Sequence, residues 1–304
     1  MKALVIGSEG NIGKPLCKHL KAMGYEVLSV DSRPNWREGY LMADINHPAD
    51  LIPAFEWKPD VVFALAAMVS RVTCEQAASL AVATNMTGLQ NMIEFTKMVG
   101  AKFIYFSTSE VYGPNCDVMD EITTTPEPNN RYGLTKLLGE SLVEHDVKYH
   151  NLKAVSLRPF MMYDEDEDLG DHRSAMIRFA TNLALGKPIE VHEGSARGWL
   201  HVTDAVRAIE ATAHHTDEYG VYNIGNPDII PISDMAEMIR KELNASPDLV
   251  NVIPFPGQMT AVKQPSLDRM QNILGVTPKV DLEAGIKLVC GKIVDRINND
   301  PNFK

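Results

Sequence analysis

The 304-residue chain has few cysteines, few aromatic residues and no apolar run long enough to span a bilayer. Its four cysteines are scattered without metal-ligand spacing, so we expect reduced thiols, no metal site and a cytoplasmic location. Basic residues number only 29 against 40 acidic ones, and the resulting net charge of −11 disfavours nucleic acid or an anionic membrane as a partner. We also expect no secretory signal, because Met1-Lys2 leads directly into an apolar segment.

Strand and helix patterns alternate through the first half of the chain. Apolar runs predict strands at residues 2–6, 25–30, 40–42, 60–65, 101–106 and 152–156. Helical spacing separates these runs, and the longest helical pattern covers residues 73–99. The alternation predicts an α/β fold with a Rossmann-type, doubly wound parallel sheet, whose ligands bind at the carboxyl ends of the strands.

A glycine-rich turn joins the first predicted strand to the first predicted helix. Gly7, Gly10 and Gly13 allow a tight turn and a close approach of the backbone to a pyrophosphate, which then lies at the helix N-terminus. Asp31 ends the second predicted strand, about 20 residues further on, where a carboxylate suits the ribose hydroxyls of NAD and repels the extra phosphate of NADP. Arg33 follows closely, so the pattern favours NAD without excluding NADP. Other residues expected at this cofactor are Asn11, Ile12, Ser32, Arg33, Asp44, Ile45, Leu65, Ala66, Ala67 and Pro159.

Tyr132 and Lys136 lie four residues apart in a helical pattern over residues 132–149, so both side chains are expected on one face. A lysine ammonium beside a phenol favours the phenolate, and we expect the Tyr132 pKa to permit proton exchange near neutral pH. Thr108, Ser109 and Glu110 follow a predicted strand and complete a candidate acid/base set. Because a predicted dinucleotide site precedes them in the sequence, these side chains predict hydride transfer at a hydroxyl.

These motifs together resemble the extended short-chain dehydrogenase/reductase family, in its nucleotide-sugar epimerase/dehydratase branch. The resemblance rests on the glycine turn, Asp31, Leu65-Ala66-Ala67, Asn85, the segment Ser107–Gly113, Tyr132 with Lys136, Leu157-Arg158-Pro159, and Arg197 with Val202-Thr203-Asp204. It implies bound NAD, also contacted by Asn85, Ser107, Tyr132 and Lys136, and a nucleotide-diphosphate sugar as substrate.

The resemblance also implies a mechanism and an organisation. A sugar hydroxyl is oxidised transiently to a ketone, with Tyr132 as the base, Lys136 lowering its pKa and Thr108 orienting the hydroxyl. We expect residues 1–160 to form the NAD-binding domain. Residues 161–304 are expected to be mainly a smaller, mixed α/β substrate-binding part, interleaved with the first. A homodimer is implied, in which helices 73–99 and 132–149 meet their copies.

Ser109 and Glu110 bear on the reaction that follows oxidation. The run Thr108–Gly113 resembles UDP-glucuronate decarboxylases and GDP-mannose dehydratases, whereas dTDP-glucose dehydratases have Asp where Ser109 stands. Glu110 is a candidate base, a candidate substrate contact or a structural carboxylate. Epimerase (an isomerase) and dehydratase or decarboxylase (lyases) therefore stay open as outcomes.

The second half departs from the family pattern. Met161 stands where relatives have an Asn that holds the substrate, and Asp164-Glu165 replace Gly-Pro. The acidic run 164–168 is expected to face water, as consecutive carboxylates in a loop usually do, and it would repel a diphosphate if it lined the site. Arg173 and Arg197 are candidate contacts for an anion, and His201 is a candidate support for Arg197.

Two other functions suit the same fold. One is an NADP-dependent reductase of small carbonyl compounds, against which Asp31 argues. The other is a non-catalytic regulator that senses a dinucleotide. Such regulators commonly lose the tyrosine–lysine pair, and this chain has both residues.

Overall fold

The computed structural model describes residues 1–114, 116–169, 174–214, 218–256 and 260–299. Its strands are β1 (Lys2–Ile6), β2 (Glu26–Asp31), β3 (Tyr40–Met42), β4 (Val61–Ala64), β5 (Lys102–Phe106), β6 (Lys153–Pro159), β7 (Met162–Tyr163), β8 (Ile189–His192), β9 (Ala196–Gly198), β10 (Leu200–His201), β11 (Val221–Ile224), β12 (Ile229–Pro231), β13 (Val250–Ile253) and β14 (Val262–Lys263). Its α-helices are α1 (Gly13–Ala22), α2 (Pro48–Glu56), α3 (Arg71–Gln76), α4 (Ala78–Val82), α5 (Leu89–Val99), α6 (Arg131–His150), α7 (Ala175–Ala184), α8 (Val202–His214), α9 (Ile232–Glu242), α10 (Asp268–Asn272) and α11 (Leu282–Asn299).

Seven strands form one parallel sheet in the order β11-β6-β5-β4-β1-β2-β3. The prediction of a Rossmann-type doubly wound sheet is therefore confirmed. The order reverses at β1, where Val5 pairs with Ser29 of β2 on one side and Phe63 of β4 on the other. A crevice for ligands opens at such a reversal, beyond the carboxyl ends of the strands.

Helices cover both faces of this sheet, and an apolar core fills each side. One core joins Leu16 of α1 and Ile209 of α8 to the sheet. The other joins Leu51 of α2, Met92 of α5 and Val143 of α6 to the opposite face. Strands buried on both faces explain the nearly continuous apolar runs of β1, β4 and β5.

The long helix predicted over residues 73–99 is broken into shorter pieces. Ser70 caps α3 through a hydrogen bond to its Oγ from the Thr73 amide at 3.1 Å, and Ala77 then departs from helical geometry. A π-helical segment, Ala83–Gly88, separates α4 from α5. The extra residue per turn carries Asn85 to the backbone of Met68, where its amide accepts from Met68 N at 2.8 Å and donates to Met68 O at 3.1 Å.

Residues beyond β6 build a second body that also contributes β11 to the sheet. Short strands pair as β8 with β13, as β9 between β12 and β14, and as β7 with β10. Helices α7, α9 and α11 enclose a third apolar core, in which Trp199 is one of the largest buried side chains. None of the helices in the described residues combines the length and apolar composition that crossing a membrane requires.

Candidate functional site

A cleft of about 600 Å³ lies at the carboxyl edge of the sheet, over the reversal at β1. It collects almost all of the residues predicted to bind the cofactor: Gly7, Gly10, Asn11, Ile12, Gly13, Asp31, Ser32, Arg33, Asp44, Ile45, Leu65, Ala66, Ala67, Ser107, Tyr132, Lys136 and Pro159. Asn85 is not part of the lining, because its side chain is buried against Met68 and Thr135. Val69, Leu80 and Thr84 also line the cleft and were not predicted.

The glycine turn closes one wall of the cleft so tightly that side chains are excluded. Gly7 has φ +93°, and a Cβ there would meet Ala66 N at 2.6 Å. A Cβ on Gly13 would come within 2.1 Å of Gly7 O. Helix α1 begins at Gly13, so its dipole favours an anion there. The turn thus has the properties required to hold a pyrophosphate.

Asp31 is nearly buried at the end of β2 and is already engaged by neighbouring donors. Its Oδ2 accepts from the Glu9 amide at 2.9 Å, and its Oδ1 accepts from Arg33 N at 3.1 Å and Arg33 Nε at 3.3 Å. The carboxylate is thereby fixed at the rim of the cleft, as expected for a contact to ribose hydroxyls.

Tyr132 and Lys136 lie at the start of α6, where β5 delivers Ser107 and Thr108 to the same place. Asn130 begins this helix by accepting a hydrogen bond from the Gly133 amide at 2.9 Å. Thr108 lies close enough to the Tyr132 hydroxyl to influence its pKa, and Lys136 Nζ lies 4.5 Å from the Tyr105 ring centroid. The buried Ser107 Oγ has no hydrogen-bond partner among the described residues, so this end of the cleft has a polar group free for a ligand. These features fit a dinucleotide, and the residues around Tyr132 would hold its nicotinamide end.

Burial governs the ionisation of the pair. It raises the Tyr132 pKa above its usual value of 10.0, although the nearby Thr108 side chain opposes this shift. Burial also lowers the Lys136 pKa from 10.5 to about 7, against the attraction of Glu140. Burial thus favours the neutral form of both side chains, and the lowering of the Tyr132 pKa by Lys136 stays a prediction.

Glu110 forms the centre of a polar cluster beside Thr108. Its carboxylate is in a short ion pair with Lys263, accepts a hydrogen bond from Asn130 Nδ2 at 3.0 Å, and lies 3.8 Å from Arg71 Nη1. Burial alone would raise the Glu110 pKa, but Lys263, Arg71 and Asn130 together lower it. Glu110 is therefore an ionised carboxylate that can accept a proton but has none to donate at neutral pH.

Lys263 is the main site residue that the sequence analysis missed. It is buried on β14, and its Nζ lies 3.4 Å from Ser109 Oγ as well as against Glu110. Burial lowers its pKa, although Glu110 opposes that shift. No local pattern marks this lysine, because it reaches the site only through the pairing of the two-residue β14 with β9.

Arg197 and His201 lie near the site with their side chains already engaged. Arg197 donates to the carbonyls of Ala196, Ala261 and Thr260 at 2.7, 2.5 and 2.6 Å, and burial lowers its pKa to about 10. His201 does not support Arg197, because its ring contacts Glu165 and Thr203, each at 2.8 Å. Arg173 lies outside the described residues.

The acidic loop 164–168 is paired rather than freely solvated. Glu167 is buried and accepts hydrogen bonds from Ser174 N and Oγ at 3.0 and 2.8 Å. Lys292 of α11 lies 2.7 Å from Asp166, and Arg296 donates to Glu167 O at 2.8 Å. The expectation of a loop that faces water is wrong for Glu167, and these contacts offset part of the negative charge.

Comparisons with known proteins agree over nearly the whole chain. The model of the NAD dependent epimerase/dehydratase family matches residues 3–225. UDP-glucuronic acid decarboxylase 1 of Arabidopsis thaliana is 25% identical over 324 residues, covering 100% of this chain and 72% of that protein. The structure of a UDP-glucose 4-epimerase from Thermotoga maritima, with UDP-glucose, is similar with a TM-score of 0.90 at 24% identity, covering 99% of this chain and 100% of that one. That of the Thermus thermophilus UDP-glucose 4-epimerase, in complex with NAD, gives 0.86 at 25% identity and covers 96% and 99%.

Proposed function

The chain belongs to the NAD-dependent epimerase/dehydratase family, and on this basis we propose that it transiently oxidises a hydroxyl of a nucleotide-diphosphate sugar, with Tyr132 as the base. The cofactor is NAD, as in the family and in the Thermus neighbour. It supplies the hydride acceptor when bound in the cleft. The single observation that carries the proposal is the meeting of Thr108, Tyr132 and Lys136 at the end of β5, beside that cleft.

The proposed proton path follows from the contacts of these side chains. Thr108 lies beside the Tyr132 hydroxyl, and a substrate hydroxyl placed there would contact both groups. As the base, Tyr132 is the phenolate, which takes the hydroxyl proton as the carbon loses its hydride and becomes a neutral phenol. Lys136, with a pKa of about 7, changes protonation state readily near neutral pH and as an ammonium compensates the charge of the phenolate before that transfer.

The test is a screen of UDP-, GDP-, CDP- and dTDP-sugars, with products identified by NMR and the absorbance of reduced nicotinamide followed during turnover. We expect one class of nucleotide sugar to be converted without net consumption of NAD. A requirement for NADPH together with reduction of small ketones would identify a carbonyl reductase. Binding of NAD without conversion of any of the sugars would identify a non-catalytic regulator. Either result refutes the proposal.

A second, finer candidate is decarboxylation of a nucleotide-linked uronic acid. Oxidation of the hydroxyl on the carbon β to the carboxylate gives a β-keto acid. This acid loses carbon dioxide and leaves an enolate that needs a proton. Lys263 is a buried group of the site that can donate this proton, with Ser109 and Glu110 against it. The Arabidopsis relative, named as a UDP-glucuronic acid decarboxylase, supports this candidate. Detection of labelled carbon dioxide from UDP-glucuronate would separate it from epimerisation.

A further inference from the structure

Four charged side chains form an acid–arginine cluster where the glycine turn meets the end of β2. Asp31 holds Arg33, as described above. Arg37 Nη2 lies 2.5 Å from Glu9 Oε1, an ion pair whose angles are not those of a hydrogen bond. The cluster, defined as Glu9, Asp31, Arg33 and Arg37, thus consists of two acid–arginine pairs.

The two pairs are linked mechanically. The Glu9 amide donates to Asp31 at 2.9 Å, so the turn that carries one acid is bonded to the other acid. The Arg37 guanidinium lies 5.0 Å from the Tyr40 ring centroid, and the Tyr40 hydroxyl donates to Asp31 O at 3.3 Å. The side chain of Glu9 is only 12% exposed, whereas that of Arg37 is 38% exposed. Glu9 is therefore a fixed anchor, and Arg37 is the partner with freedom to move.

Arginine near the end of this strand is the residue type that accommodates the 2′-phosphate of NADP, because its planar fork binds phosphate oxygens. The chain thus contains two arginines suited to NADP, although it is an NAD protein. Of the two arginines, Asp31 accepts hydrogen bonds only from Arg33. The second arginine needs its own restraint, and the contact between Glu9 and Arg37 provides it.

We propose that Glu9 is a second residue that determines the preference for NAD over NADP, and that it acts by holding Arg37 away from the adenosine ribose. Asp31 repels a 2′-phosphate directly. Glu9 withholds the cation that would otherwise attract one. Replacement of Glu9 by Gln releases Arg37, whose charge then becomes available to the phosphate. The inference concerns cofactor binding and is independent of the sugar and of the reaction.

The experiment measures the binding of NADH and NADPH to nucleotide-free protein by nicotinamide fluorescence. Glu9→Gln is expected to tighten NADPH binding about tenfold, since a charge-assisted contact to phosphate is gained. NADH binding is expected to change by less than about threefold because the turn keeps its shape. Glu38→Gln is the matched control: it removes an equal charge from an exposed position in the same connection and should alter neither affinity.

The double variant Glu9→Gln/Arg37→Met assigns the effect to Arg37. We expect it to lose the gain in NADPH binding, while Arg37→Met alone leaves both affinities near those of the parent. A gain that persists without Arg37 would show that Glu9 acts by repulsion alone and would overturn the proposal. Failure of Glu9→Gln to gain NADPH binding, or an equal loss for both nucleotides, would overturn it as well, because Glu9 would then only support the turn.

Discussion

Single side chains at the end of β5 differ in what fixes their charge. Tyr132 and Lys136 are governed by burial, which favours the neutral form of both. Glu110 is also largely enclosed, yet Lys263, Arg71 and Asn130 around it keep it ionised. A buried group without an opposite charge tends to lose its own, whereas a paired one retains it. The residue scale therefore separates a proton-exchanging pair from a permanently charged carboxylate.

Tyr132→Phe tests the proton-exchanging pair. The variant keeps the ring in its buried place and removes the hydroxyl, so we expect turnover to fall by about 10³-fold while NAD binding is retained. Turnover is followed with the sugar identified in the screen, and NADH binding by fluorescence. Tyr149→Phe, at the exposed far end of the same helix, is the control. Near-normal turnover of Tyr132→Phe would remove this residue from the mechanism.

Glu110→Gln tests the charged carboxylate. If Glu110 and Lys263 take part in dehydration or decarboxylation, the loss of charge should lower kcat by at least about 10²-fold, whereas a plain epimerase should tolerate the change better. The measurement is kcat with the converted sugar. Glu127→Gln removes an exposed carboxylate near the same turn and should leave kcat unchanged. A small effect at Glu110 argues for a structural role in holding Lys263.

At the scale of elements, the glycine turn and the acidic loop are both fixed by close contacts across sequence-distant segments. The turn lies against the backbone of Ala66, beyond the end of β4. The loop is fastened to α11 by Lys292 and Arg296. In each case a short irregular segment is held in its conformation by a neighbouring segment. We therefore expect a substitution in one of the two segments to alter the conformation of the other.

Gly7→Ala should destabilise the turn. The substitution adds strain at a positive φ and a Cβ 2.6 Å from Ala66 N, and we expect the free energy of unfolding to fall by about 2 kcal/mol or more. Urea denaturation measures the change. Gly24→Ala is a matched control, because Gly24 has φ +84° with nothing within 4 Å of its Cβ. Equal losses for the two variants would contradict the steric argument, since only strain would then matter.

The acidic loop should make stability depend on acid pH. The hydrogen bond with His201 lowers the Glu165 pKa from 4.5 to about 2. A depressed pKa means that the carboxylate contributes stability above pH 4.5, and that this contribution is lost as pH falls from 4.5 towards 2. Glu165→Gln should flatten that part of the curve, measured as unfolding free energy against pH. Glu193→Gln, at an exposed position, should leave it unchanged. Identical slopes for all three proteins would contradict the link.

At the scale of the whole molecule, helices α4 and α6 expose apolar side chains to solvent. Val82 of α4 and Leu134 and Leu138 of α6 are each about half exposed, at 47%, 45% and 45%. Helices α4 and α6 pack against each other, so these side chains belong to adjoining helices. Exposed apolar side chains on adjoining helices are typical of an interface between subunits.

We therefore predict a homodimer in which α4 and α6 meet their copies. Size-exclusion chromatography with light scattering should give the mass of two chains at micromolar concentration. Leu134→Asp/Leu138→Asp should shift this mass to one chain. Leu288→Asp, on the half-exposed face of α11, serves as the control and should stay dimeric. A single-chain mass for the unmodified protein would refute the prediction.

The sequence was sufficient where function depends on local pattern. The glycine turn, Asp31 and the Tyr132–Lys136 spacing each lie in one short segment, and parallel strands bring such segments to one edge of the sheet. It was insufficient where tertiary packing decides. Lys263 arrives through a two-residue strand, and the π-helical segment places Asn85 against Met68, a contact that local pattern does not predict. The Tyr132 pKa depends on burial, which spacing does not reveal.

Strand β11 lies beside β6 at the edge of the sheet. One part of the second body lies between these two strands in sequence, and the rest follows β11. Its register runs from Val221 opposite Ser156 to Ile224 opposite Pro159. No single chain boundary therefore separates the sheet from the second body. A fragment that ends at residue 160 would expose the edge of β6 as a template for aggregation. The second body is consequently not one continuous segment of the chain. Exchanging it between relatives requires two grafts, one on either side of β11, with that strand left in place.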